Sequence, residues 1–136
     1  MIFAPIGPET PHIRFLTPRW AHLPLSGAGA ARKGGRLNRP DVHPLYLSTD
    51  LETAAAEYQQ TDGLLAPSTV ATYLVPLARV IDFSAGYVPG GWDPAWKDLW
   101  CEWRQLALLE RVEPPSWLLG DMAIEVGAAV VSPDVV

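Results

Sequence analysis

Residues 24–57, PLSGAGAARKGGRLNRPDVHPLYLSTDLETAAAE, decide the expected fold and site. A glycine-rich, cationic segment leads through a short strand into a helix that carries a glutamate. Glycine permits close approach of the backbone to a ligand, and arginine offers planar pairs of donors, so such a loop can surround phosphate oxygens. The stretch therefore predicts a ligand that bears phosphate, although a cationic loop judged alone also fits a solvated surface.

Charge is distributed unevenly along the chain. Residues 1–40 contain six basic residues against one acid, Glu9, whereas the remaining chain is acidic and the net charge is −5. Nucleic-acid binding depends largely on neutralising many phosphates with Lys and Arg. We therefore expect no direct binding to nucleic acid, and a small ligand with one or two phosphates fits the composition better.

The bulk composition indicates one domain over residues 1–136. The chain is 49% hydrophobic, which is enough for a compact core, and it is too short for two ordinary domains. Early prolines interrupt any signal-peptide pattern, and no apolar run reaches membrane-spanning length. We therefore expect a cytoplasmic protein that does not associate with a membrane.

The residues give little support for a metal site or a catalytic thiol. Cys101 is the only cysteine and lies among tryptophans, so we expect a small buried apolar residue, with a catalytic thiol as the weaker alternative. His12, His22 and His43 lack metal-binding spacing, and we expect no metal. Neither a Walker-type phosphate loop nor a strand-GxGxxG-helix fingerprint is present.

The spacing of apolar, β-branched and turn-forming residues predicts elements along most of the chain. The expected strands are 12–16, 45–48, 69–75, 79–83 and 127–131. The expected helices are 51–60 and 96–111, with 116–125 as a helix or a strand followed by a helix. Residues 18–44 are expected to be mostly loop.

Two of these helices carry specific expectations. One of residues 48–50 can cap the first helix. Glu57 lies at the edge of its apolar stripe, and the pattern leaves open whether that carboxylate faces solvent or a groove. The buried stripe is expected to comprise Leu51, Ala54, Ala55 and Tyr58. In the helix 96–111 the tryptophans form one face, which we expect to be core, with a partner-binding groove as the alternative.

Five fragments stand in a fixed order: Arg14, SGAGA with GGRLN, LYLS, AAAEY and PPSW. In this order and spacing the chain resembles the RES-domain family, the toxins of Xre/RES toxin–antitoxin modules, over nearly its whole length. It most resembles the branch that includes the ADP-ribosylating ParT-type toxins. The resemblance implies an α+β, ADP-ribosyltransferase-like fold, with small mixed sheets flanked by helices, that consumes NAD+ as a substrate.

The resemblance also implies a function and its partners. ParT-type relatives transfer ADP-ribose to a host protein, for which phosphoribosyl pyrophosphate synthetase is the acceptor class, and other relatives break NAD+ down by hydrolysis or phosphorolysis. A cognate Xre-like antitoxin covers the active cleft. A non-catalytic module that binds a nucleotide or a partner is the further alternative.

Residue roles in NAD+ binding follow from matching this chain to the family pattern. Arg14 matches the N-terminal arginine and Arg36 the arginine of the GGR element, and both are expected to hold phosphate or ribose groups. Gly35 and Asn38 of the same element are expected to contribute to NAD+ binding. Leu37 stands where the family commonly has an aromatic residue.

The same match supplies the expected catalytic residues. Tyr46 matches the tyrosine that stacks on nicotinamide, Glu57 the catalytic glutamate and Ser116 the late family serine. Nicotinamide departs from NAD+ as a neutral molecule, so its release needs no general acid and one carboxylate can suffice, unlike ordinary glycoside hydrolysis. We expect Glu57 to stabilise the developing positive charge.

Overall fold

The structure is a computed structural model that describes residues 2–59 and 66–133. The described chain forms two compact units. The tryptophan-rich unit comprises residues 2–4, 26–44 and 79–133, and the hairpin unit comprises residues 5–25, 45–59 and 66–78. The expectation of one domain over residues 1–136 stays a prediction.

Small sheets and short helices make up both units. In chain order the regular elements are β1 (Phe3–Ile6), β2 (His12–Leu16), α1 (Ala28–Lys33), α2 (Leu51–Gln59), β3 (Thr69–Tyr73), β4 (Leu77–Asp82), α3 (Ser116–Glu125) and β5 (Ala129–Val131). One sheet has the strand order β1-β4-β5, with β4 and β5 parallel, and the other pairs β2 with β3 antiparallel. The predicted α+β class, with small mixed sheets flanked by helices, is confirmed.

Most predicted strands form with small shifts of their ends. The strand at 12–16 has the predicted bounds, the strand predicted at 69–75 ends at Tyr73, and β4 begins two residues earlier than predicted. The predicted strand 45–48 is reduced to one bridge, in which Ser48 pairs with Ile13. Within residues 2–59 and 66–133, no helix is long and apolar enough to cross a membrane.

The core of the tryptophan-rich unit is an aromatic cluster beneath α3. The rings of Phe83 and Trp92 pack edge to face with centroids 4.8 Å apart, and Trp96 lies 5.0 Å from Trp92. Leu119 and Ala123 of α3 are buried against this cluster. Aromatic contacts of this geometry add to the stabilisation that burial of the rings provides.

The predicted helix over 96–111 is wrong. Residues Pro94–Trp100 form a 3₁₀ helix, and Gln105–Leu109 form a separate π-helical segment. Between them Cys101 adopts an extended conformation with ψ 156°, which no helix can continue. The tryptophans that were expected to form one core face are only partly buried. Trp96 and Trp103 are buried, whereas Trp100 is 37% exposed.

Residues 18–44 are mostly loop, as expected, but the glycine-rich part begins a helix. Its SGAGA sequence starts α1, because the Ser26 hydroxyl accepts a hydrogen bond from the Ala28 amide at 3.2 Å and alanine is the best helix former. A 3₁₀ turn also forms at Pro18–Trp20. The segment is thus a short helix followed by a tight loop at 34–38.

The hairpin unit is built around β2. β3 pairs along one edge, with His12 opposite Tyr73, and the other edge carries the bridge from Ser48. α2 follows this bridge, and its predicted residue 60 lies outside the described residues. Ala54 is buried as predicted, but Leu51 is 53% exposed, so its place in the buried stripe was wrong.

Gly120 of α3 is a position where only glycine fits. A Cβ atom built on Gly120 would lie 1.6 Å from the carbonyl oxygen of Leu37, whereas one built on Gly29 of α1 would meet nothing within 4 Å. The loop at 34–38 therefore packs directly on the backbone of α3.

We predict that Gly120→Ala lowers the free energy of unfolding by about 1–3 kcal/mol or more, because the loop must move away from the helix. Gly29→Ala is the matched control, and alanine there should leave stability unchanged or raise it by about 0.5–1 kcal/mol. Urea denaturation followed by circular dichroism measures both. Equal stabilities of the two variants would contradict the close approach of loop and helix.

Candidate functional site

The structure divides the predicted site residues between the two units. The hairpin unit holds Arg14, Tyr46 and Glu57, and the tryptophan-rich unit holds Gly35, Arg36, Asn38 and Ser116. The roles predicted for these residues stay predictions.

In the hairpin unit, three adjacent elements carry Arg14, Tyr46 and Glu57. Backbone bonds of 2.6 and 2.8 Å join Ile13 and Ser48, so the segment with Tyr46 runs up to the edge of the strand that carries Arg14. α2 lies beside the same strand, because the ring of Tyr58 is 5.9 Å from that of Phe15.

Exposure differs among these three residues. Tyr46 and Glu57 are exposed, and Arg14 is half-buried. Side chains alternate along a strand, so Arg14 lies on the face of β2 opposite to Phe15. The contact between Phe15 and Tyr58 therefore sets helix and strand side by side, while Arg14 extends from the other face of the strand.

The start of α2 is fixed by Asp50. Its carboxylate accepts hydrogen bonds from the Thr53 amide at 2.7 Å and from the Thr53 hydroxyl at 2.9 Å. The predicted cap among residues 48–50 is confirmed. These two bonds, the amide first, lower the pKa of the Asp50 carboxyl below its usual value. The cap determines where the helix that presents Glu57 begins.

The loop at 34–38 is held by a backbone hydrogen bond within the loop and by a side-chain hydrogen bond from α3. Gly34 has φ +87°, and a Cβ there would lie 2.7 Å from a ring atom of Trp117. The Gly35 amide donates to the Asn38 carbonyl at 2.9 Å, and the Trp117 indole donates to the Gly35 carbonyl at 2.7 Å. Gly35 therefore uses both of its backbone groups within the protein.

Asn38 is buried at 3% exposure and ties the loop to neighbouring backbone. Its amide nitrogen lies 3.1 Å from the carbonyls of Ala30 and Arg39 and 3.2 Å from that of Val42. A buried amide with these partners fixes the path of the chain after α1. In this structure Asn38 shapes the loop.

Arg36 supports the break between the 3₁₀ helix and the π-helical segment. Its Nη1 donates to the carbonyls of Leu99 at 2.9 Å and Cys101 at 3.1 Å, and its guanidinium carbon lies 5.6 Å from the ring centroid of Trp100. Its Nε and Nη2 make no hydrogen bond to any residue of the described ranges. Three N–H donors of the guanidinium thus stay available for a ligand.

Ser116 is fully buried beneath Arg36. Its hydroxyl donates to the Arg36 carbonyl and accepts a hydrogen bond from the Cys101 thiol at 3.4 Å. Pro115 occupies the N-cap position of α3, so Ser116 does not cap this helix. Cys101 itself is half-buried, so its expected burial is only partial.

Arg39 is a structural residue that the sequence did not reveal. Its Nε lies 3.1 Å from both carboxylate oxygens of Asp121, and its Nη1 and Nη2 lie 3.0 and 2.9 Å from Glu113. These bonds raise the pKa of Arg39, with Asp121 the larger cause, and Arg39 lowers the pKa of Glu113. Because the acids lie far away in sequence, no local spacing signals the cluster, which neutralises part of the cationic segment.

The lowered pKa of Asp50 gives a prediction about acid stability. A carboxyl whose pKa is lower in the folded than in the unfolded protein stabilises the fold at pH values above its unfolded pKa, which is about 3.9 for Asp. This stabilisation is lost as the pH falls through the pKa of the folded state. We therefore predict that the stability advantage of wild type over Asp50→Asn shrinks from about pH 6 to about pH 3.

Asn still accepts the capping bond, so Asp50→Asn isolates the charge, whereas Asp50→Ala also removes the cap and should be the least stable variant at neutral pH. Urea midpoints across the pH range measure all three proteins. A difference between wild type and Asp50→Asn that is independent of pH would rule out the charged cap.

Comparison with known proteins gives one match. A protein-family model described as RES domain matches residues 12–133, which include most of both units. No curated protein and no solved structure matches the chain.

Proposed function

The chain belongs to the RES domain family, and from this premise we propose that it is an NAD+-consuming toxin that transfers ADP-ribose to a host protein. The family is associated with NAD+-acting toxins of toxin–antitoxin modules. One observation in the structure carries the proposal. Three adjacent elements of the hairpin unit, which are β2, the segment bridged to it and α2, carry the guanidinium, the phenol ring and the carboxylate that the proposal assigns to NAD+.

Glu57 is the proposed catalytic residue. Cleavage breaks the bond between the ribose C1′ and the nicotinamide nitrogen, and the bonding electrons leave with nicotinamide. The ribose becomes electron-poor and resembles an oxocarbenium ion. A carboxylate near the ribose hydroxyls lowers the energy of this state, because preorganised charge acts where charge develops. The acceptor then supplies the electrons of the new bond to C1′.

Substrate binding is assigned to the arginines and to Tyr46. Arg14 would hold phosphate or ribose oxygens, which its planar pairs of N–H donors suit better than an ammonium group would. Tyr46, exposed next to the bridge at Ser48, would stack on the planar nicotinamide ring. Arg36 would contact a phosphate through Nε or Nη2, the donors that its structural bonds leave unused.

For Ser116 the buried contacts support a positioning role. Its hydroxyl bonds the backbone of Arg36 and lies against the Cys101 thiol, so it acts on the substrate through the arginine. Gly35 and Asn38 would act in the same way, by fixing the loop that presents Arg36. A cognate Xre-like antitoxin and a host acceptor, of which phosphoribosyl pyrophosphate synthetase is the proposed example, complete the proposal.

We predict that Glu57→Gln lowers kcat for nicotinamide release by about a hundredfold to a thousandfold, while the fold and most of the NAD+ affinity remain. Glu52→Gln is the matched control, because Glu52 is an exposed glutamate in the first turn of the same helix. Initial rates and circular dichroism spectra test both variants. Wild-type turnover in a folded Glu57→Gln protein would remove Glu57 from the mechanism.

Transfer and breakdown of NAD+ differ in where the ADP-ribose goes. With NAD+ labelled on its adenylate half, we predict label on a host protein band in a cell extract, and Glu57→Gln should abolish it. Label found only in small molecules would favour hydrolysis or phosphorolysis instead. NAD+ binding without nicotinamide release would identify a non-catalytic nucleotide binder. A helix-turn-helix protein encoded beside this chain should suppress the labelling if it is the antitoxin.

A further inference from the structure

His12, the first residue of β2, is a buried side chain with an unexplained polar atom. Only 8% of the residue is exposed, and its Nδ1 has no hydrogen-bond partner among the described residues. Burying a nitrogen without a partner is unfavourable, because its hydrogen bonds to water are lost and not replaced. Native proteins keep few such atoms, and a functional contact is a common reason when they do.

The residues next to His12 do not supply the missing partner. Tyr73 lies opposite His12 in the register of β2 and β3, but its hydroxyl donates to the carbonyl of Pro24. Next along β2, Ile13 uses its backbone groups in the bridge to Ser48. The imidazole is therefore held in place by packing, and its Nδ1 has no partner among the described residues.

His12 lies on the same strand as Arg14, two residues before it. Side chains two residues apart on a strand share one face and stand about 7 Å apart, so His12 and Arg14 extend from the same face of β2. That spacing is comparable to the separation of neighbouring phosphate and ribose groups in a dinucleotide. A ligand whose phosphate or ribose is bound by Arg14 therefore places further oxygens within reach of His12.

We propose that His12 is a further NAD+-binding residue, whose Nδ1–H donates to a ribose or phosphate oxygen next to the group held by Arg14. This inference rests on the proposed NAD+-dependent function. A neutral imidazole has one N–H donor and one acceptor nitrogen, so the tautomer with the proton on Nδ1 makes this bond without a change of charge. The ligand oxygen satisfies the nitrogen that folding leaves unpaired.

Two substitutions separate this role from a structural one. His12→Leu removes the nitrogen but keeps an apolar side chain of moderate size in the buried position. His12→Asn keeps a donor, because its side-chain nitrogen lies the same number of bonds from Cα as Nδ1. The KM for NAD+ in nicotinamide release and the free energy of unfolding without NAD+ are measured for both variants and for wild type.

We expect His12→Leu to raise KM about tenfold with a smaller change in kcat, and His12→Asn to recover most of the lost affinity. The free energy of unfolding of His12→Leu should not fall below that of wild type, because Nδ1 makes no bond in the protein without ligand. A structural role predicts the reverse, a loss of stability with little change in KM.

The outcomes distinguish this inference from the proposed function. An active wild type with an unchanged KM in His12→Leu overturns the inference and leaves the function standing. A KM that rises only in proportion to the loss of stability also overturns the inference. The same holds if the KM of His12→Asn is no lower than that of His12→Leu. If nicotinamide release is absent, the Kd for NAD+ by calorimetry replaces KM. A wild type that neither binds nor cleaves NAD+ overturns both.

Discussion

Reciprocal hydrogen bonding between the loop at 34–38 and its surroundings is the constraint on which the tryptophan-rich unit depends. Side chains of Ser116 and Trp117 bond the carbonyls of Arg36 and Gly35, while the Arg36 guanidinium bonds carbonyls at the end of the 3₁₀ helix. Each interaction satisfies a polar group that would otherwise be buried without a partner, at a cost of about 1–3 kcal/mol. Loss of one contact therefore leaves a polar group of the loop or its neighbours without its partner.

This constraint links scaffold and proposed chemistry. Arg36 uses Nη1 to hold the backbone and keeps Nε and Nη2 for a ligand, so its position is set before substrate arrives. Preorganised groups of this kind stabilise a transition state without the cost of reorienting. In the hairpin unit, β2 is the element around which the others are arranged. β3, the bridge from Ser48 and α2 all lie against it.

The sequence predicted elements whose signal is local, and it missed the helix break that distant partners determine. The strand at 12–16 and the cap of α2 depend on neighbouring residues and were predicted. The helix over 96–111 was wrong because Cys101 is extended and Arg36, far away in sequence, bonds the carbonyls on both sides of the break. The glycines at 27 and 29 indicated a loop, yet the alanines around them form α1, whose N-cap is Gly27.

By itself the sequence determined the family, the α+β class and the residue types available for the proposed NAD+ chemistry, because these depend on the order of motifs and on local periodicity. Only the tertiary structure decided that Gly35, Asn38 and Ser116 shape a loop and that Arg39 is neutralised by Asp121 and Glu113. It also decided that a nitrogen of His12 is buried without a partner in the described part of the chain. The contacts of Ser116 and Arg39 join segments far apart in the chain, and such contacts leave no trace in local spacing.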